Sequence, residues 1–237
     1  MALPKLTTPT YELVVPSTDE KIKYRPFLVR EEKILLIAME SQDTADVILA
    51  VKDIVTECTF NKIDLGDMPM FDIEYIFLNI RAKSVGEVTN LRLLCPDDGE
   101  TYADVEIDLS EVEVHVDKGH TNVIKLTDEM GMNMKYPTID SFDTTGITDV
   151  TPDNMLDVIS SCVGEIYDKK GEEVFAAKDQ TKAEIVEFIE QLNTKQFADV
   201  QKFFDTMPKL KHVVTIENPK TKVKSDIILQ GLNDFFG

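Results

Sequence analysis

The stretch with the most chemical promise is Cys95-Pro96-Asp97-Asp98-Gly99. A Cys, a tight turn and a Gly are the parts with which a zinc knuckle returns a second thiolate to one ion. A structural zinc needs four such ligands, brought together from two knuckles. The position of that second Cys holds Asp98, and Cys58 and Cys162 do not form another pair. Cys95 is therefore a weak metal candidate. The residues favour a hairpin turn without metal, in which Pro96 fixes φ and Gly99 accepts φ > 0.

Other chemistry is sparse. His115 and His120 flank a turn with Asp117 and could share an ion, or could be turn histidines in water; His212 stands alone. Asp104, Glu106 and Asp108 alternate with Val105, Ile107 and Leu109, the pattern of a strand with one packed face and one acidic face in solvent. The stretch Asp64 to Asp72 is too sparse for a calcium loop. The phosphate-cradling loop, the dinucleotide fingerprint, GxSxG and HExxH are all missing from the sequence. The expectation is a chain with no catalytic residue, cofactor or metal, and not an enzyme.

Composition bounds the partners. The 237 residues carry 25 basic and 44 acidic side chains, a net charge of −19. Nucleic acid calls for a local basic excess, and the best candidate, Pro208 to Lys224, reads as a hairpin of solvated lysines. Such acidity suits a partner with a basic surface. Three scattered cysteines fit a reducing compartment. No apolar run approaches the roughly 20 residues of a membrane span, and the N-terminus does not read as a secretory signal.

The elements follow from periodicity and punctuation. "YELVVPS" and "KIKYRPFLV" read as strands around Ser17-Thr18-Asp19-Glu20. "REEKILLIAMES" reads as a helix with Glu31 and Glu32 at its positive end. A second helix, capped by Asp43 or Thr44, runs through "DTADVILAVKDIVTEC". A third spans "MPMFDIEYIFLNIRAKSVG", apolar nearly all round and stopped by Gly86. The period then switches to two for a hairpin around Pro96-Asp97-Asp98-Gly99. "VEVHV", "NVIKL" and "GMNMKYPT" are further strand candidates.

Thr151 and Pro152 suit the start of a helix. A short hairpin through Lys170-Gly171 follows, then helices at "TKAEIVEFIEQL", with Thr181 and Glu184 at capping-box spacing, and "TKQFADVQKFFDTM". A hairpin turning at Asn218-Pro219 and the tail "GLNDFFG" end the chain. The expected fold class is α+β. An N-terminal part of mixed helices and antiparallel β-hairpins (1–150, central hairpin at about 87–109) precedes a mostly helical C-terminal part (151–237) with a terminal β-hairpin and a short helix.

The apolar features mark candidate partner-binding residues: Phe71, Tyr75, Leu78, Phe203, Phe204, Phe235 and Phe236. For Phe71 to Ile80 the plain alternative is a central core helix; for Phe235-Phe236 it is a docked terminus. Met68, Met70, Met130, Met132 and Met134 supply adaptable packing of the kind interfaces use.

Several blocks, in order along nearly the whole chain, carry a resemblance. They are Arg25-Pro26-Phe27-Leu28, Glu31-Glu32-Lys33-Ile34-Leu35-Leu36-Ile37-Ala38-Met39-Glu40, "FDIEYIFLNIRAKSVGE" (Phe71 to Glu87), the Cys-Pro hairpin, "MKYPT" (Met134 to Thr138), and Leu229 to Phe236 with its L-x-G-L-x-D-F-F pattern. The chain resembles the T4-type phage baseplate hub protein family. The resemblance implies a role in tail morphogenesis, as a hub component or a hub-assembly chaperone, without catalysis. Members carry a fuller C-P-x-C-G knuckle, and some have Cys in the last hairpin. This chain departs from both, at Asp98 and at Asn218-Pro219.

The resulting expectation is a hub assembly factor that works through protein–protein contacts with other baseplate hub or tail proteins. It would act in the cytoplasm of the infected host, with the virion baseplate as the other location. Open alternatives are a permanent structural subunit, a metal-binding protein or hydrolase built on the acidic hairpin, and homo-oligomerisation.

Overall fold

The computed structural model describes residues 6–41, 43–139, 141 and 154–236. Strands β1 (Tyr11–Val14) and β2 (Lys21–Tyr24) come first, then helices α1 (Val29–Ser41), α2 (Thr44–Cys58) and α3 (Met70–Val85). Strands β3 (Val88–Leu94), β4 (Tyr102–Asp108), β5 (Glu113–His115), β6 (Val123–Lys125) and β7 (Met130–Met134) follow. Helix α4 (Met155–Ser161) leads to β8 (Val163–Asp168) and β9 (Glu173–Ala176). Helices α5 (Lys182–Glu190) and α6 (Thr194–Thr206), strands β10 (Lys209–Glu217) and β11 (Lys224–Gln230), and the short α7 (Asn233–Phe236) complete the order.

Local chemistry sets many of these boundaries. The Asp43 side chain accepts from Ala45 N–H at 2.9 Å and starts α2. Gly86, at φ 131°, closes α3, a conformation that costs a glycine little. Thr181 and Glu184 form the expected capping box, and Asn193 with Gln196 forms a second one at α6. The Thr151 cap, Pro152 and the 150/151 boundary lie outside the described residues.

The chain divides into two compact units. The first comprises Met1–Leu65, Phe71–His115 and Lys209–Gly237. At its centre α3 buries Ile73, Ile76, Phe77, Leu78 and Ile80, so its all-round apolar surface is used as core. The β3–β4 hairpin pairs Leu91 with Val105 and turns Leu91, Ala103 and Ile107 inward, while Asp104 and Glu106 stay exposed. These side chains pack with Leu210, Leu229 and Phe235 from the end of the chain. Strand β10 pairs on one side with β11 and on the other with β5.

The second unit comprises Gly66–Met70 and Val116–Pro208. Its sheet runs β6-β7-β8-β9, all neighbours antiparallel. Helices α4, α5 and α6 supply Ile159, Ile185, Ile189, Val200 and Phe203 to the core that Met132 and Met134 line from the sheet. Gly131 is required here: a Cβ would lie 2.6 Å from the Ile124 carbonyl oxygen and 2.2 Å from Tyr167 Oη.

The expected mostly helical C-terminal part is overturned. Strands β8, β9, β10 and β11 all lie within it, and β8 and β10 also pair with strands from elsewhere in the chain. The physical reason is that an isolated two-stranded hairpin is marginal in water. Here β8 takes β7 as its other neighbour, and β10 takes β5. Both hairpins were visible locally; their recruitment into sheets depends on pairing over long sequence separations.

Candidate protein-interaction face

The Cys95 turn is a hydrogen-bonded clasp. Cys95 N–H donates to Thr101 O at 2.7 Å, Gly99 N–H donates back to Cys95 O at 3.0 Å, and Gly99 sits at φ 66°. The Asp98 carboxylate accepts from the Thr101 hydroxyl at 2.6 Å, Thr101 N–H at 3.0 Å and Glu100 N–H at 3.1 Å. Those bonds, the Thr101 hydroxyl first, hold Asp98 well below the usual carboxylate range. Burial, followed by the charges of Asp97 and Asp98, pushes the Cys95 thiol up.

The turn does not end there. Asp97 accepts from Asn218 Nδ2 at 2.9 and 3.1 Å and from the Thr221 hydroxyl, which ties the β3–β4 turn to the β10–β11 turn. Asn218 is buried. The two turns are thus joined by a carboxylate–amide pair. Among the described residues, no group of three His, Cys, Asp or Glu side chains is placed to hold a metal ion. His115 lies on β5 in the first unit, whereas His120 belongs to the second. There the His120 ring lies between the Thr206 and Tyr136 hydroxyls, at 2.9 and 3.1 Å, and packs on Phe203.

The aromatic candidates for partner binding are mostly interior. Phe71, Leu78 and Phe235 are buried in the first unit, with Tyr75 partly buried beside them. Phe203 is buried in the second unit. Phe204 meets Phe203 edge-on at 5.1 Å and lines a hollow of about 460 Å³ with Met155, Val158 and Met207. The Phe236 side chain lies outside the described residues.

The apolar surface that does face solvent is on α1, which sequence reasoning passed over. Val29 is 80% exposed, Leu36 56% and Ile37 57%; Ile34 and Met39 are each 42% exposed. Only Glu31 and Ala38 of this helix are buried. Ile34 to Met39 is an unbroken run of six apolar residues. That run puts apolar side chains on every side of the middle of α1, a pattern that favours burial all round, yet the helix packs on one side, against α2. The signal was in the sequence: the run is too continuous for a helix with one solvent face.

This helix is held firmly at its start. The Glu31 carboxylate accepts from Leu28 N–H at 2.7 Å, from Arg25 at 3.0 Å and from Arg30 at 2.6 Å. Burial works to raise Glu31, but the bonds from Arg25, the Leu28 amide and Arg30 outweigh it and leave the carboxyl below its ordinary value. Arg25 in turn donates to Cys58 Sγ at 3.6 Å, and its N–H to the Cys58 carbonyl at 2.9 Å, so the start of α1 is tied to the end of α2. Arg30 also reaches Glu57 at 3.4 Å. The exposed apolar face therefore rests on a rigid footing.

A family model described as "T4 bacteriophage base plate protein" matches residues 8–237. No curated protein matches the chain, and no solved structure does.

Proposed function

The chain belongs to the T4 bacteriophage base plate protein family, and on that premise we propose that it is a baseplate hub assembly factor, working by protein–protein contact and without a catalytic step. Its partners are then other baseplate proteins, met in the cytoplasm of the infected host. The observation that carries the reading is the outward face of α1. Leu36 and Ile37 lie side by side in solvent on a helix whose inner side is anchored by Glu31. Apolar side chains clustered on a rigid, exposed element support binding to another protein surface. Among the described residues no helix is long and apolar enough to cross a membrane.

Quantitative mass spectrometry of purified virions beside the infected-cell lysate tests this reading. An assembly factor is abundant in the lysate and missing from the particle. Presence in the particle at fixed stoichiometry would make the chain a permanent baseplate subunit.

A further inference from the structure

Lys33, Leu36, Ile37 and Glu40 are spaced i, i+3, i+4 and i+7, which places them together on one face of α1. All four are exposed. Lys33 and Glu40 stand at the two ends of this patch with the apolar pair between them. Neither has an ion pair within the described residues, whereas Arg30, the other cation of the helix, is engaged by Glu31 and Glu57.

This arrangement is complementary to itself. Turned end for end about a two-fold axis midway between Leu36 and Ile37, a second copy sets its Glu40 over Lys33 and its Lys33 over Glu40. The four apolar side chains then meet at the centre. A parallel pairing sets lysine on lysine and glutamate on glutamate, which disfavours it. Self-complementarity of one patch is the defining feature of an isologous two-fold interface.

We propose that the outward face of α1 is closed by the same face of a second copy of this chain, antiparallel, with two reciprocal Lys33–Glu40 ion pairs flanking a centre of Leu36 and Ile37. The proposal rests on the reading of α1 as an interface and names its occupant. The dimer is a weak one. A helix of 13 residues is about 20 Å long and presents a face about 10 Å wide, short of the roughly 1,200 Å² that stable pairs bury. The net charge of −19 on each copy also opposes association. A weak dimer of this kind yields its apolar centre to a baseplate partner that competes for it.

Sedimentation equilibrium of the full chain, up to about 300 µM, tests the proposal. The expected result is a monomer–dimer equilibrium in the wild type. Lys33→Glu and Glu40→Lys should each weaken it about tenfold or more, because each sets like charges opposite one another twice. The double variant K33E/E40K should recover to within about threefold of wild type, since the swap rebuilds both pairs. Far-UV circular dichroism of each variant confirms that the helix is intact. A wild type that stays monomeric throughout overturns the proposal, and so does a double variant as weak as the singles. Loss of co-migration with baseplate proteins in L36E/I37E, alongside a monomeric wild type, would reject the second copy as occupant and leave the assembly-factor reading standing.

Discussion

Asp97 and Asn218, 121 residues apart in the chain, join the turns of two hairpins: both Asp97 carboxylate oxygens accept from the Asn218 amide, at 2.9 and 3.1 Å. The bond fixes the tip of β3–β4 to the tip of β10–β11, and Thr221 reinforces it. The result is a cross-link between distant segments made of polar side chains, at the place where the sequence first suggested a metal knuckle.

Removing either partner breaks the amide–carboxylate bond between the two turns. Asp97→Ala and Asn218→Ala should each lower unfolding stability, and the double variant should cost less than the sum of the two single losses. Urea unfolding of the three variants measures the coupling. Additive losses would show that the pair does not act as a unit.

Glu31 is a buried carboxylate with two arginines around it. Glu31→Gln strands the buried Arg25 guanidinium and should cost about 3 kcal/mol. The carboxyl is held below its ordinary value in the fold. Its contribution is therefore present at neutral pH and is lost as pH falls below the ordinary carboxylate range. Wild type and E31Q should converge in stability as acid is added; a gap that stays constant would contradict the ion pair.

Glu74 behaves in the opposite sense. It lies on α3 beside Gly231, 3.4 Å from where a Cβ on that glycine would sit, and accepts from the Leu232 N–H. Burial raises its pKa to about 7, against the pull of that hydrogen bond. A carboxyl raised in the fold stabilises most below its ordinary value, and that stability is lost as pH climbs through the raised one. Stability from this group should fall by about 2 kcal/mol between pH 4.5 and pH 8. Glu74→Gln, which keeps an acceptor and carries no charge, should be more stable than wild type at pH 8 and about equal to it at pH 4.5. Denaturation at the two pH values reads the difference.

The two apolar helices should answer oppositely to substitution. Leu78→Ala removes a fully buried side chain of α3 and should cost about 2–5 kcal/mol. Leu36→Glu on α1 should change monomer stability by less than about 0.5 kcal/mol, as surface positions do. Thermal unfolding at low protein concentration compares them. A large loss for L36E would mean that this side chain is packed within the chain.

Much of the local structure was legible because it is set by neighbours in sequence. The Asp43 cap, the Gly86 stop, the Thr181–Glu184 box and the Pro96–Gly99 turn each depend on residues a few positions apart. Sheet membership was not. The pairing of Leu210 with Val114 and of Ile166 with Met132 joins strands whose alternation says which face is apolar but not which strand lies alongside. The candidate face failed to show for a related reason. Periodicity locates a helix's buried side by contrast, and Ile34 to Met39 offers none. The helix at Phe71 to Ile80 is also apolar on every side, and its tertiary surroundings make it core while α1 stays open.

The central claim is that this baseplate protein acts through the exposed face of α1. The direct measurement is the yield of assembled baseplates and infectious particles from phage whose copy of this protein carries Leu36→Glu and Ile37→Glu. The account predicts that the variant accumulates as folded, full-length protein while baseplate assembly and infectious yield fall by at least about tenfold. Normal yield from the variant would contradict it.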